Sequence, residues 1–462
     1  MITETSGPAA VDLVVKGCDL ITMNDTDTVI RDAALAVDKG RIVWTGKASE
    51  ASGLYRAERT IDASGQIAMP GMVDAHFHTA QHLLRGKLSQ ITRTRAPKMP
   101  VWKHYYLPFE AMLEPEDVHL SALAAYTNML RVGTTCFAEA GGPHPDEMGR
   151  AADEVGIRGF IAQSTCDTGM GVPDALMMKT QQAYDRNVEL VQRWSKHERV
   201  KAFLSLRQIV VCTPELVKGI GQAAKELDVK VHTHLCEGIY EIDFALERYG
   251  KRPTEYLEEL GVLSHHFHGA HSIFLSPEEV DLYARHKVSA CHCGLHNYSV
   301  GQPRVAEMWR RGIDIGLGTD GAASSGTLDV FQVAHAARIG QQLVAGTPWH
   351  MRTAISSDEL LKIATHGGAR ALGVGHELGR LESGYKADFI LVDASDIDQQ
   401  PIYDPLFTAS TTTVGRDVRT VIVDGKMVMK DREILTVDVE VIKARLAKRR
   451  PEIMDRFEKL VA

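Results

Sequence analysis

Hydrophobic and polar positions divide the chain into two grammars. From Val11 to Ala68, short runs of apolar residues alternate with turn residues: Asp12-Leu13-Val14-Val15, then Ala33-Ala34-Leu35-Ala36-Val37, then Arg41-Ile42-Val43-Trp44. Asp38-Lys39-Gly40 between the last two runs predicts a tight hairpin, because glycine supplies the positive φ that such a turn needs. The same grammar returns at 387–392 and 419–428. Isolated hairpins of this size are only marginally stable, so the two β-rich flanks are expected to pair into one small β-domain. Between them the pattern changes to strand followed by helix, repeated. Candidate strands lie near 68–78, 134–140, 159–164, 202–207, 230–235, 266–272, 288–293 and 313–319. Helix signals follow most of them, as in Ser276-Pro277-Glu278-Glu279, where a serine N-cap precedes proline at the first helical position. The charged stretch from Val437 to Leu460 predicts an amphipathic terminal helix.

Eight strand–helix units in one run predict an α/β fold, a (β/α)8 barrel with a small β-sandwich domain built from both chain ends. The expected division is 1–67 and 377–436 for the β-sandwich, 68–376 for the barrel and 437–462 for the terminal helix. A doubly wound open sheet is the competing architecture, but no Gly-x-Gly-x-x-Gly opens a helix after the first strand.

The 462 residues, 44% apolar and 24% charged, match a soluble globular protein too long for a single small core. A net charge of -8 gives no basic footprint for nucleic acid. Seven cysteines without a disulfide-scaffold spacing indicate a reducing compartment. Met1 to Ala10 lacks a basic segment followed by an apolar one, and no apolar stretch is long enough to span a bilayer, so a cytoplasmic protein without membrane or nucleic-acid partners is expected. Cys291-His292-Cys293 could suggest a metal pair, yet alternation in an apolar strand explains it as well.

Chemistry concentrates where a barrel would put it. The run Pro70-Gly71-Met72-Val73-Asp74-Ala75-His76-Phe77-His78 ends in two histidines one residue apart, which share a face of a strand and can close on one ion. The fifth candidate strand ends in His234, followed by Cys236 and Glu237; the sixth ends in His271; the eighth leads into Asp320. Barrel active sites form at the C-terminal strand ends, and these four histidines and two carboxylates converge there. Glu237 as a mere supporting partner and Asp320 as a helix cap are the structural alternatives.

By these residues the chain resembles the amidohydrolase superfamily, in its branch of aminohydrolases and chlorohydrolases acting on nitrogen heterocycles. The matching segments are Pro70 to His78, His234-Leu-Cys-Glu237, Gly-Ala-His271, His292-Cys-Gly-Leu-His-Asn297 and Gly-Thr-Asp320-Gly-Ala-Ala-Ser. Gly379 to Asp388 looks like the family's return segment into the flanking β-domain. The resemblance implies one divalent metal, Zn²⁺ first and Fe²⁺ second, on His76, His78, His234 and Asp320. It implies catalytic roles for Glu237, His271 and Asp320 in proton handling. A metal with open coordination brings the pKa of its water towards about 7, and attack on an sp² ring carbon then needs a proton at the neighbouring ring nitrogen. The small zinc deaminases are excluded, because the chain has no Pro-Cys-x-x-Cys.

Substrate signals divide. Arg207 stands where the methylthioadenosine/S-adenosylhomocysteine deaminases carry a purine-contacting histidine. With Gln81 it resembles guanine deaminases, and its fixed, always-charged donors suit a carbonyl oxygen or ring anion. Trp102 and Glu110 resemble the nucleoside branch, where the glutamate holds ribose hydroxyls. The expected substrate is a small heterocycle, an oxo-purine, a pterin or a related ring. The alternatives are a methylthioadenosine/S-adenosylhomocysteine-type nucleoside, or hydrolysis of a C–Cl, C–S or urea-type bond in a triazine-like compound. A non-enzymatic, assembly-forming barrel is a further class, which the complete ligand set opposes. A homo-oligomer, dimer or larger, is expected.

Overall fold

A computed structural model describes residues 7–93 and 96–461; the reading of the N-terminus at residues 1–6 therefore lies outside the described residues. The strands from both chain ends join one nine-stranded sheet. The predicted hairpin is present: Val29–Asp38 pairs antiparallel with Arg41–Lys47, with Lys39 and Gly40 both at positive φ. The two flanks meet where Phe389–Asp393 runs antiparallel to Gln66–Pro70.

The run predicted as one strand over 68–78 is broken at Gly71. Gln66–Pro70 belongs to the terminal sheet and Met72–Phe77 begins the parallel strands. A side chain at Gly71 would collide with Thr135, so the crossing between the two sheets requires glycine. The parallel strands form two sheets. One orders Met72–Phe77, Thr134–Glu139, Arg158–Ile161 and Val200–Ala202; the other orders Leu204–Leu206, Val231–Leu235, Phe267–His271, Ser289–His292 and Ile315–Leu317. Val200–Ala202 and Leu204–Leu206 are a single run parted at Phe203, whose N–H donates to Ile161 O at 2.9 Å while the Leu204 N–H turns to Lys230 O at 3.0 Å. The strand positions thus number the eight predicted, in chain order. At the far edges, the Asp320 N–H donates to His76 O at 3.0 Å.

Helices follow the strands for the reasons the sequence gives. Ser276 Oγ accepts from the Glu279 N–H at 3.2 Å and opens Pro277–His286. Thr213 caps Pro214–Leu227, which buries Leu216, Val217, Ile220, Ala223 and Ala224 along one face. The terminal helix spans Val439–Val461. The return segment is anchored by Asp388, which accepts two hydrogen bonds from Arg158 at 2.6 and 3.1 Å. Arg158 sits on a parallel strand, so this buried fork fixes the terminal sheet against the strands that carry the site.

Candidate active site

His76 and His78 stand at the C-terminal end of Met72–Phe77 and His234 near that of Val231–Leu235, in the other parallel sheet; all three are buried, with ring nitrogens within 4.8 Å of one another. Asp320 Oδ1 lies 3.3 Å from His76 Nε2 and 3.6 Å from His78 Nε2, and His78 Nε2 lies 3.1 Å from His234 Nε2. Asp320 reaches this point with φ at 58°, and His271 with φ at 69°, a left-handed backbone uncommon outside glycine and typical of functional turns. Gly318, two residues before Asp320, lies so close to His76 that a Cβ would stand 2.9 Å from the His76 carbonyl oxygen.

Two of the three outward-facing ring nitrogens are held, and the third, His78 Nδ1, is buried without a hydrogen-bond partner among the described residues. His234 Nδ1 donates to Arg207 O at 2.7 Å, so its Nε2 presents a bare lone pair to the centre. His76 Nδ1 is 2.8 Å from His232 Nε2, while His76 Nε2 is buried without any hydrogen-bond partner. Burial pushes His78 down to about 3 and holds His76 and His234 well below the usual imidazole range, so the rings are neutral. Three neutral imidazoles and a carboxylate converging on one point, one nitrogen with no partner, form a donor set that fits a divalent cation. Cys293 Sγ also lies within reach of His76 and His271, but burial drives its thiol far up and keeps it protonated.

His271 is held through Nδ1 to Asn297 Oδ1 at 3.0 Å, and Asn297 Nδ2 in turn reaches His271 O at 3.0 Å. Glu237 Oε1 stands 4.0 Å from both His271 Nε2 and His296 Nε2. Ser324 Oγ donates to Asp320 Oδ2 at 2.7 Å. Above these groups opens a cavity of about 730 Å³, whose wall includes Trp102, Tyr106, Tyr240 and Phe274 together with Leu88, Met99 and Val300.

The residues read for substrate separate into two places. Trp102 and Arg207 line the cavity. Gln81 and Glu110 do not; they lie behind it, almost fully buried. Arg207 Nη1 donates to Glu110 Oε2 at 2.7 Å and Gln81 Nε2 donates to Glu110 Oε1 at 2.7 Å, so each oxygen of Glu110 meets a buried donor. Trp102 Nε1 donates to Tyr240 Oη at 2.8 Å. Sequence reasoning missed His232, Gln208, Tyr240 and His296. For His232 a signal existed: His232-Thr-His234 repeats the spacing of His76-Phe-His78. Gln208 and Tyr240 carried no pattern.

A parallel-stranded α/β fold with a histidine–carboxylate cluster at its strand ends defines a class of hydrolases. The chain belongs to the amidohydrolase family, whose model matches residues 67–428, and is a hydrolase acting on C–N bonds. It is 32% identical to a 5-methylthioadenosine/S-adenosylhomocysteine deaminase of Acetivibrio thermocellus, over 94% of this chain and 97% of that protein. Among solved structures it resembles an adenosine deaminase of Xanthomonas campestris with bound zinc, at 28% identity and a TM-score of 0.89, covering 97% of this chain and 100% of the other. It also resembles an atrazine chlorohydrolase of Arthrobacter aurescens complexed with zinc, at 25% identity and a TM-score of 0.83, over 95% and 100% of the two chains. No helix among the described residues is long and apolar enough to cross a membrane.

Proposed function

We propose that this protein is a hydrolytic deaminase of a 6-aminopurine nucleoside of the methylthioadenosine and S-adenosylhomocysteine kind, dependent on one divalent cation, zinc in the first instance. The observation that carries the substrate reading is the Arg207–Glu110 pair. Arg207 lines the cavity, but Nη1 meets the buried Glu110 carboxylate at 2.7 Å, so the pair offers a ring anion no net positive charge. An aminopurine asks for no such cation, and the 32% identity to a nucleoside deaminase over nearly the whole chain supports the same choice. In this reading the two parallel sheets close into one (β/α)8 barrel, and the nine-stranded sheet is its flanking β-sandwich.

His76, His78, His234 and Asp320 would hold the cation. When bound, it supplies a water acidic enough to lose a proton near neutral pH. Asp320, steadied by Ser324, and His271, steadied by Asn297, orient that water and draw off its proton. Glu237, supplied with the protons that Asp320 and His271 draw first from the water and then from the hydroxyl added to the ring, would deliver the first to the ring nitrogen beside the attacked carbon and the second to the departing amine. One C–O bond forms, one C–N bond breaks, and water is exchanged for ammonia. Trp102, Tyr106 and Phe274 flank the base, and Leu88, Met99 and Val300 give the wall an apolar character suited to a thioether.

The test is ammonia release from a panel: methylthioadenosine, S-adenosylhomocysteine and adenosine against guanine and a pterin, with chloride release from a chlorotriazine alongside. The expected result is highest kcat/KM on an adenine nucleoside. Highest kcat/KM on guanine or the pterin would overturn the substrate reading and restore Arg207 as a reader of oxo rings, and chloride release alone would overturn deamination.

A further inference from the structure

Among the described residues, Glu237 is hydrogen-bonded through only one of its two oxygens. Oε2 accepts from Tyr240 Oη at 3.0 Å and from Gln208 Nε2 at 3.1 Å, while Oε1 turns to the histidines, 4.0 Å from His271 Nε2 and from His296 Nε2. The indole of Trp102 can only donate, and it does so to Tyr240 Oη at 2.8 Å. Its N–H therefore occupies a lone pair of the phenol and leaves the phenol hydrogen to be given away. Two acceptors stand within reach of that hydrogen, Glu237 Oε2 at 3.0 Å and Gln208 Oε1 at 3.1 Å. A charged carboxylate is the stronger acceptor, so the hydrogen goes to Glu237. The Gln208 amide nitrogen has two hydrogens and three acceptors near it, Tyr240 Oη at 2.8 Å, Glu237 Oε2 at 3.1 Å and Glu241 Oε2 at 3.3 Å, and the two nearer ones take them.

We infer that Tyr240, backed by Trp102 and Gln208, is a positioning residue that pins Oε2 of Glu237 so that Oε1 alone carries the proton. This rests on Glu237 being the proton carrier. The arrangement works in both halves of the cycle. When Oε1 is bare, Oε2 is a carboxylate oxygen accepting two hydrogen bonds. When Oε1 is protonated, Oε2 is the carbonyl oxygen of the acid and still accepts both. A clamp made of donors never has to let go, and the side chain does not need to be re-oriented between taking up the proton and giving it back. Glu241 completes the setting. It is buried, its Oε2 accepts the Glu237 N–H at 3.0 Å, and burial together with the nearby charge of Glu237 pushes its carboxyl up to about 8. It therefore stays neutral beside Glu237 near neutral pH and does not compete for the two donors as a second anion.

The experiment is a double-mutant cycle on the zinc-loaded enzyme with the best substrate of the panel, measuring kcat, KM, the solvent deuterium isotope effect on kcat and metal content. Tyr240→Phe removes one hydroxyl and keeps the ring. The expected result is a kcat lower on the order of 10-fold, with KM and metal content close to wild type and a larger isotope effect, since an unpinned carboxylate makes proton delivery slower. In a Glu237→Gln background the same change should cost almost nothing, because there is no proton left to position. Gln208→Met, which removes the second donor, should behave likewise with a smaller fall, and it carries the test alone if Tyr240→Phe does not fold. Equal losses from Tyr240→Phe with and without Glu237 would overturn the inference, since they would mean that the phenol only shapes the pocket. So would an unchanged kcat in Tyr240→Phe while Glu237→Gln is slow. Near-normal turnover in Glu237→Gln would instead remove the proton-carrier reading itself, and the clamp with it.

Discussion

Two clusters of buried polar side chains meet at Arg207 and differ in whether their charges match within the cluster. Gln81, Glu110 and Arg207 form a set closed in charge: Gln81 and Arg207 each donate to one oxygen of Glu110, and Arg207 Nη1 also reaches Gly141 O at 3.5 Å. The single negative charge is matched by the single positive one, although Gln81 Oε1 is buried without a partner among the described residues. His76, His78, His234 and Asp320 form an open set, in which the atoms facing inward have each other at 3.1 to 3.6 Å and His76 Nε2 has no partner. A buried charge is costly unless it is paired, so the first cluster stands as it is, and the second, one carboxylate among three neutral rings, calls for a cation to complete it. Burial and charge alone would have marked both as functional. Charge matching separates them.

The sharpest way to break this comparison is through the open set. Glu237→Gln should leave folding and metal content unchanged and lower kcat by about 10²–10⁴-fold, the usual contribution of a proton-transferring group. Wild-type turnover would detach the cavity chemistry from the cluster. His232→Ala tests how the set is aimed: losing the 2.8 Å partner of His76 Nδ1 should weaken metal affinity by about 10–100-fold, with kcat recovered at saturating metal. Unchanged affinity in a competition assay with a chelator would mean that His76 needs no orientation.

Arg207→Met probes the closed set. It strands the Glu110 carboxylate, and the cost should appear in stability, about 3–5 kcal/mol by denaturant unfolding, with Glu110→Gln in the same protein recovering part of it. Activity per folded, metal-loaded molecule should fall to a similar extent on amino and oxo heterocycles. A loss confined to oxo substrates would move Arg207 out of the closed set. The smallest effect concerns Glu139, a buried neighbour of this cluster pushed up to about 8 by desolvation, above its ordinary 4.5. A raised carboxyl binds its proton more tightly in the folded state, so its contribution is present below pH 4.5 and lost as pH rises through 8. Glu139→Gln should therefore gain on wild type progressively between about pH 5 and 8, with a slope of at most about 1.4 kcal/mol per pH unit. Parallel stability curves would mean that Glu139 is already ionised in the fold.

Much of this was legible in the sequence. The alternation of strand and helix, the hairpin at Lys39-Gly40 and the serine cap at Ser276 depend on neighbours in the chain, and each lies where the pattern put it. His76, His78, His234 and Asp320 were readable because strand ends of one fold converge. The break at Gly71 was not, since it depends on Thr135 in another strand, far along the chain. Nor was the state of Glu110. A glutamate in Leu107-Pro108-Phe109-Glu110 looks the same whether it faces a ligand or an arginine, and only the fold brings Arg207, 97 residues away, to 2.7 Å. Tyr240 and Gln208 were invisible for the same reason: one hydroxyl and one amide acquire meaning only when both reach a single oxygen of Glu237.

The most direct test of the open set is stoichiometric. Protein stripped by a chelator should release no ammonia, and on titration with Zn²⁺ its activity should rise linearly and level off at one equivalent per chain, with His78→Ala regaining none. Full turnover in the stripped protein, or activity that climbs until two equivalents are bound, would contradict a single cation held by His76, His78, His234 and Asp320.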